Sequence, residues 1–166
     1  MSDIQNAFRL IGSLDLTSLS HDDTEEKIAA LCAKAVTPYG TTAAVCVYPE
    51  WVPLARKLLK KTPVKVATVV NFPAGGNDFK LMKDEIKKGL SGGADEIDAV
   101  FPYRDFLAGN TDSCRRFLDI IQRECGKHTS KIILETGELN HVSTIAAAVK
   151  LCLEYDIDFI KTSTGK

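Results

Sequence analysis

Lys161 stands inside an otherwise strand-like run, Asp158-Phe159-Ile160-Lys161-Thr162-Ser163-Thr164-Gly165-Lys166. Burying an ammonium in a sheet is costly unless it is paired or gives up its proton. A lysine that gives up its proton is an amine nucleophile able to condense with a carbonyl, so imine chemistry is the first hypothesis. The plain competing reading is a solvated or snorkelling strand-end lysine. Asp98 interrupts a second apolar run, Ile97-Asp98-Ala99-Val100-Phe101, at a place where it has no helix to cap. A proton-handling carboxylate fits that position, set against a loop anchor. Cys46 interrupts a third run, and Asn71 and Glu135 stand in or at the ends of others. Lys131 opens a further one, where it either adds positive potential to a site or faces water.

Other chemistries find less support. His21, His128 and His141 have no cysteine or carboxylate partner at ligand spacing, which disfavours a metal site, and none falls at a strand end as a hydrolase base would. The five cysteines, Cys32, Cys46, Cys114, Cys125 and Cys152, form no CxxC and read as reduced, buried thiols. With 45% hydrophobic and 26% charged residues and a net charge of -1, the 166-residue chain has the composition of a soluble globular domain. Its cations are interspersed with acids, so no basic stripe offers itself to nucleic acid. The first ten residues lack the apolar core of a secretion signal or membrane span. A cytoplasmic protein is expected.

The elements that must carry these residues alternate. Residues 6–11 predict an opening helix and 13–17 a short strand. Asp22 or Asp23 can cap a helix to about residue 36, with Glu25 and Glu26 suited to its first turn, and residues 37–40 break it. Strands follow over 43–49, 64–72, 96–101, 131–136 and 158–164, with helices over 52–60, 79–90, 111–125 and 143–154. Residues 102–105 are expected as loop, and the 74–77 segment as a tight turn with Asn77 as cap, only weakly resembling a phosphate loop. Strands separated by helices need crossover connections, so the sheet should be parallel and covered. No linker or second composition regime appears, so residues 1–166 read as one domain. Periodicity allows an open doubly wound sheet or part of a (β/α)8 barrel. Polar residues on several separate strands favour the barrel, which gathers many strand ends at one mouth.

Leu14-Asp15-Leu16-Thr17, Ala44-Val45-Cys46-Val47-Tyr48-Pro49, Asn71-Phe72-Pro73, Gly93-Ala94-Asp95-Glu96-Ile97-Asp98 and the segment from Phe159 to Lys166 together resemble deoxyribose-phosphate aldolase, in order along nearly the whole chain. The resemblance implies a (β/α)8 TIM barrel that reversibly cleaves 2-deoxy-D-ribose 5-phosphate to acetaldehyde and D-glyceraldehyde 3-phosphate, without metal or organic cofactor. Lys161 matches the family's Schiff-base lysine and Asp98 its proton-moving aspartate. Cys46 matches a site lining, and Gly165 and Lys166 match phosphate contacts at the end of a strand. Its partners would be a sugar phosphate and aldehydes, and the amphipathic helices leave a homo-oligomer open.

A free lysine has a pKa of about 10.4, so burial or a neighbouring cation is expected to lower that of Lys161. The family supplies such a cation from a lysine on its seventh strand. Only about six strand-helix units can be counted here, so the barrel is expected to be truncated after its sixth strand. The competing function is a noncatalytic phosphate-binding or truncated barrel domain that lacks the second half of the site.

Overall fold

A computed structural model describes residues 3–166. In chain order the elements are α1 (Asp3–Ile11), β1 (Asp15–Thr17), α2 (Glu25–Lys34), β2 (Val36–Thr37), β3 (Gly40–Thr41) and β4 (Ala44–Val47). A 3-10 turn at Pro49–Trp51 leads into α3 (Val52–Leu59), β5 (Lys65–Val70), α4 (Phe79–Gly92) and β6 (Glu96–Val100). Then come α5 (Tyr103–Leu107), α6 (Thr111–Cys125), β7 (Thr129–Ile133), α7 (Thr136–Leu139), α8 (Val142–Cys152) and β8 (Phe159–Lys161).

Six strands form one parallel sheet in the order β1-β4-β5-β6-β7-β8, curled into a partial (β/α)8 barrel of the expected class. Curling follows from one contact. Neighbouring strands lie about 4.8 Å apart, so the outer two strands of a flat six-stranded sheet would be separated by about 24 Å. Yet Asp15 on β1 hydrogen-bonds Lys161 on β8 at 3.3 Å.

The two faces of the sheet bury different residues. Val45, Val66, Ile97 and Ile132 point outward into a large core shared with Ile86 and Phe117 of the covering helices. Each large apolar side chain buried this way stabilises the fold by about 1.5–3 kcal/mol. Ala44, Cys46, Ala67 and Val69 form a second, smaller cluster with Leu19. The alternation of a parallel strand buried on both faces explains why the runs look continuously apolar in sequence.

The helix starts correct several expectations. Thr24, not Asp22 or Asp23, caps α2 by accepting the Lys27 N–H. Both aspartates are already engaged in the preceding loop, Asp22 with Ser20 and Lys27, Asp23 with Ser18 and Ser20. Asp78, not Asn77, caps α4, while Asn77 donates to Asp105. The expected break after α2 is a small antiparallel hairpin, β2 with β3. The expected loop after β6 contains α5, and a single helical turn, α7, precedes α8. Gly75 at φ +59° fits a position where a Cβ would stand 2.5 Å from the Phe101 carbonyl oxygen. Among the described residues no helix is long and apolar enough to cross a membrane.

Candidate active site

Asp98 lies on β6 with no exposed side-chain surface, paired in register with Lys131 on β7. Its Oδ2 accepts a hydrogen bond from the Lys161 Nζ at 2.5 Å, and its Oδ1 lies 3.6 Å from the Lys131 Nζ. Lys131 also reaches Asp15 at 2.8 Å and Glu96 at 2.5 Å. Asp15 binds both ammoniums through the same oxygen, Oδ2. Three carboxylates and two lysines thus share the concave face of the sheet. Buried charges persist only when paired in this way.

The placement of Lys131 decides between its two readings. Its side chain is only 7% exposed, inside the charge cluster rather than facing water. β7 begins at Thr129, two residues before the expected start, because Asp158 accepts from the Ser130 N–H and hydroxyl and compensates a polar strand opening. Lys131 therefore sits mid-strand. Lys161 is 30% exposed and borders a cavity of about 340 Å³ with Asp15, Glu96 and Lys131.

The electrostatics of Lys161 differ from the expected lowering. Burial is the largest influence and pulls its pKa down. The charge and hydrogen bond of Asp98, with a smaller contribution from Asp15, outweigh burial and hold it above the ordinary 10.5. Lys131 is likewise raised: burial opposes the charge, but Asp98, Asp15 and Glu96 prevail. Burial raises the Asp15 carboxyl, yet Lys131 and then Lys161 bring it below its ordinary 3.8. At Cys46, burial first and the Asp98 charge second drive the thiol strongly upward, so it is a buried, neutral thiol within electrostatic reach of Asp98 and Lys161. At rest both lysines of the site are held as ammoniums by their acidic neighbours.

Gly165 and Lys166 follow β8 at the mouth. The Lys166 Nζ donates to the Leu19 carbonyl at 2.7 Å, spanning from the end of β8 to the loop after β1. Lys166 and Arg104 line a cavity of about 510 Å³ together with Ala74, Glu135 and Thr164. Glu135, two residues past β7 and just before α7, stands in the left-handed region at φ 54°, and its carboxylate accepts from the Thr164 N–H and hydroxyl. Asn71, at the end of β5, is also left-handed at φ 55°, with its amide donating to the Gly76 and Val100 carbonyls at 2.9 Å. It secures the neighbouring loop rather than joining the charge cluster.

Sequence reasoning gave no role to Asp15, Glu96 or Arg104. The available signal for Glu96 was its spacing from Asp98, since residues two apart in a strand share a face. Among the described residues no group of three or more His, Cys, Asp or Glu is arranged to hold a metal ion.

Comparison with known proteins gives a consistent result. A family model described as DeoC/LacD family aldolase matches residues 9–166. The structure superposes with a TM-score of 0.90 on a candidate deoxyribose-phosphate aldolase from Coccidioides immitis, at 30% identity over 95% of this chain and 61% of that one. QR15, described as an aldolase, gives 0.85 at 31% identity over 99% and 70%. A deoxyribose phosphate aldolase from Aeropyrum pernix, described as having a unique tetrameric structure, gives 0.83 at 28% over 95% and 65%. The chain thus spans about three fifths of the Coccidioides protein.

Proposed function

The chain belongs to the DeoC/LacD family of aldolases, and on that premise we propose that it is a class I deoxyribose-phosphate aldolase working through an imine on Lys161. The observation that carries this reading is the 2.5 Å contact between Lys161 Nζ and the buried Asp98. An ammonium cannot attack a carbonyl, and the paired site favours the ammonium at rest. Proton transfer from Lys161 to Asp98 Oδ2 along that short hydrogen bond yields a neutral amine and a neutral acid. The amine attacks C1 of the open-chain 2-deoxy-D-ribose 5-phosphate. Asp98 then returns its proton as the carbinolamine loses water, leaving an iminium.

The iminium nitrogen is the electron sink for the bond that breaks. Transfer of the C3 hydroxyl proton to Asp98, a carboxylate again once water has left, pushes the C2–C3 electron pair toward nitrogen, which releases D-glyceraldehyde 3-phosphate and leaves an enamine. Protonation at C2 and hydrolysis then give acetaldehyde and free Lys161. Lys131 keeps positive potential near Asp98 through both proton transfers. Gly165 and Lys166 receive the phosphate in this reading, and Cys46 lines the site. The reaction calls on no metal or organic cofactor.

The five free, buried cysteines support a cytoplasmic setting. The tetrameric description of the Aeropyrum pernix relative supports a homo-oligomer. One observation favours a second reading, a noncatalytic phosphate-binding barrel: the Lys161 pKa is held up rather than down. Incubation with acetaldehyde followed by borohydride separates the two. A stable ethyl adduct on Lys161 supports the aldolase, whereas an unmodified Lys161 in folded protein supports the noncatalytic domain.

A further inference from the structure

We propose that Glu135 is a positioning residue whose carboxylate, by holding Thr164, sets residues 164–166 in the shape that receives the substrate phosphate. This role rests on the reaction proposed above. The β7–β8 ladder supplies the first part of the argument. Leu134 N–H donates to the Lys161 carbonyl at 3.0 Å and Thr136 N–H to the Thr162 carbonyl at 2.8 Å. The ladder stops there, and the Glu135 side chain takes over by accepting the Thr164 N–H at 3.1 Å and its hydroxyl.

Thr164 passes the constraint onward. Its hydroxyl donates to Glu135 and accepts the Lys166 N–H at 3.2 Å, so Glu135 fixes the direction in which the remaining lone pair points. Gly165 between them adopts φ +77°, a turn that an L side chain rarely takes. At the far end the Lys166 ammonium is tied to the Leu19 carbonyl. The segment is held at both ends.

Two features separate this role from plain fold support. Glu135 itself occupies the left-handed region, φ 54° and ψ 63°, a conformation that non-glycine residues hold only when their surroundings impose it. A carboxylate beside a phosphate is also electrostatically adverse. Its hydrogen bonds, not its charge, are therefore the useful part. Glutamine retains an oxygen that can accept both Thr164 bonds and removes the adverse charge.

Calorimetric titration with 2-deoxy-D-ribitol 5-phosphate, which carries the phosphate but no aldehyde, reads this positioning without requiring an imine. Glu135→Ala should weaken binding about tenfold, the scale of one lost hydrogen bond. Glu135→Gln should bind at least as tightly as the wild type. If circular dichroism shows Glu135→Ala unfolded, Thr164→Val replaces it with the same expected loss, and Thr164→Ser should restore binding. Equal binding by the alanine or valine variant overturns the role, as does equal weakening by the glutamine variant or no binding by the wild type. Acetaldehyde trapping on the wild type, which involves no phosphate, tests the imine separately.

Discussion

Asp15 on the first strand of the sheet and Lys161 on the last are hydrogen-bonded at 3.3 Å, although four strands lie between them in the ladder. Through the same oxygen Asp15 also holds Lys131 at 2.8 Å. One carboxylate thus joins both lysines of the cluster, and the curl of the sheet and the arrangement of its charges depend on each other.

The imine assignment predicts a selective adduct. Lys161→Arg should give no borohydride-stable ethyl adduct with acetaldehyde, because guanidinium stays protonated. Peptide mass spectrometry should find Lys131 unmodified in both proteins, since its three carboxylate neighbours and 7% exposure keep it charged and sheltered. An adduct that persists in the arginine variant would remove Lys161 from the mechanism.

Asp98→Asn acts on two quantities in opposite directions. On the proposed mechanism, in which Asp98 relays the proton, its loss should slow imine formation by about 100-fold or more. Losing its negative charge should also lower the Lys161 pKa, because Asp98 is the strongest of the groups that raise it. The rate of trapping should therefore rise with pH in both proteins, with the variant's curve displaced toward lower pH. A variant curve displaced upward would contradict the electrostatic assignment.

Asp15 gives a prediction about acid stability. Its folded-state pKa lies below the ordinary 3.8, so the unfolded chain takes up that proton more readily. The stability it contributes is complete above 3.8 and is lost as pH falls through its folded value. Melting temperatures of the wild type and Asp15→Asn should differ most near neutrality and converge as the pH falls toward the folded value. A constant difference across that range would assign Asp15 a role independent of charge.

Gly75→Ala tests the loop beside the mouth. The added Cβ would meet the Phe101 carbonyl oxygen at 2.5 Å and would also force an alanine to φ +59°. Strain and overpacking together should cost about 2–4 kcal/mol, read as a lower denaturant midpoint with an unchanged slope.

Much of this architecture is legible along the chain because the signals are local. The apolar runs of β4, β5 and β6 announce themselves within a few residues, and α6 occupies residues 111–125 as expected. The β2–β3 hairpin, α5 and α7 are too short to carry a periodic pattern. Lys161 and Asp98 stand out because a charge in an apolar run demands a partner. Asp15 does not, since an acid at a strand start looks like a loop anchor until the curled sheet brings it to the lysines. Lys131 is ambiguous for a similar reason: the polar pair Thr129-Ser130 conceals the true start of β7, which only the distant Asp158 makes favourable.

The Lys166–Leu19 bond, between the segment after β8 and the loop after β1, has one more implication. An anion that draws the Lys166 ammonium toward itself competes with that carbonyl. Occupancy at the mouth should then be felt on the opposite margin of the sheet, where the Leu19 carbonyl would lose its ammonium partner.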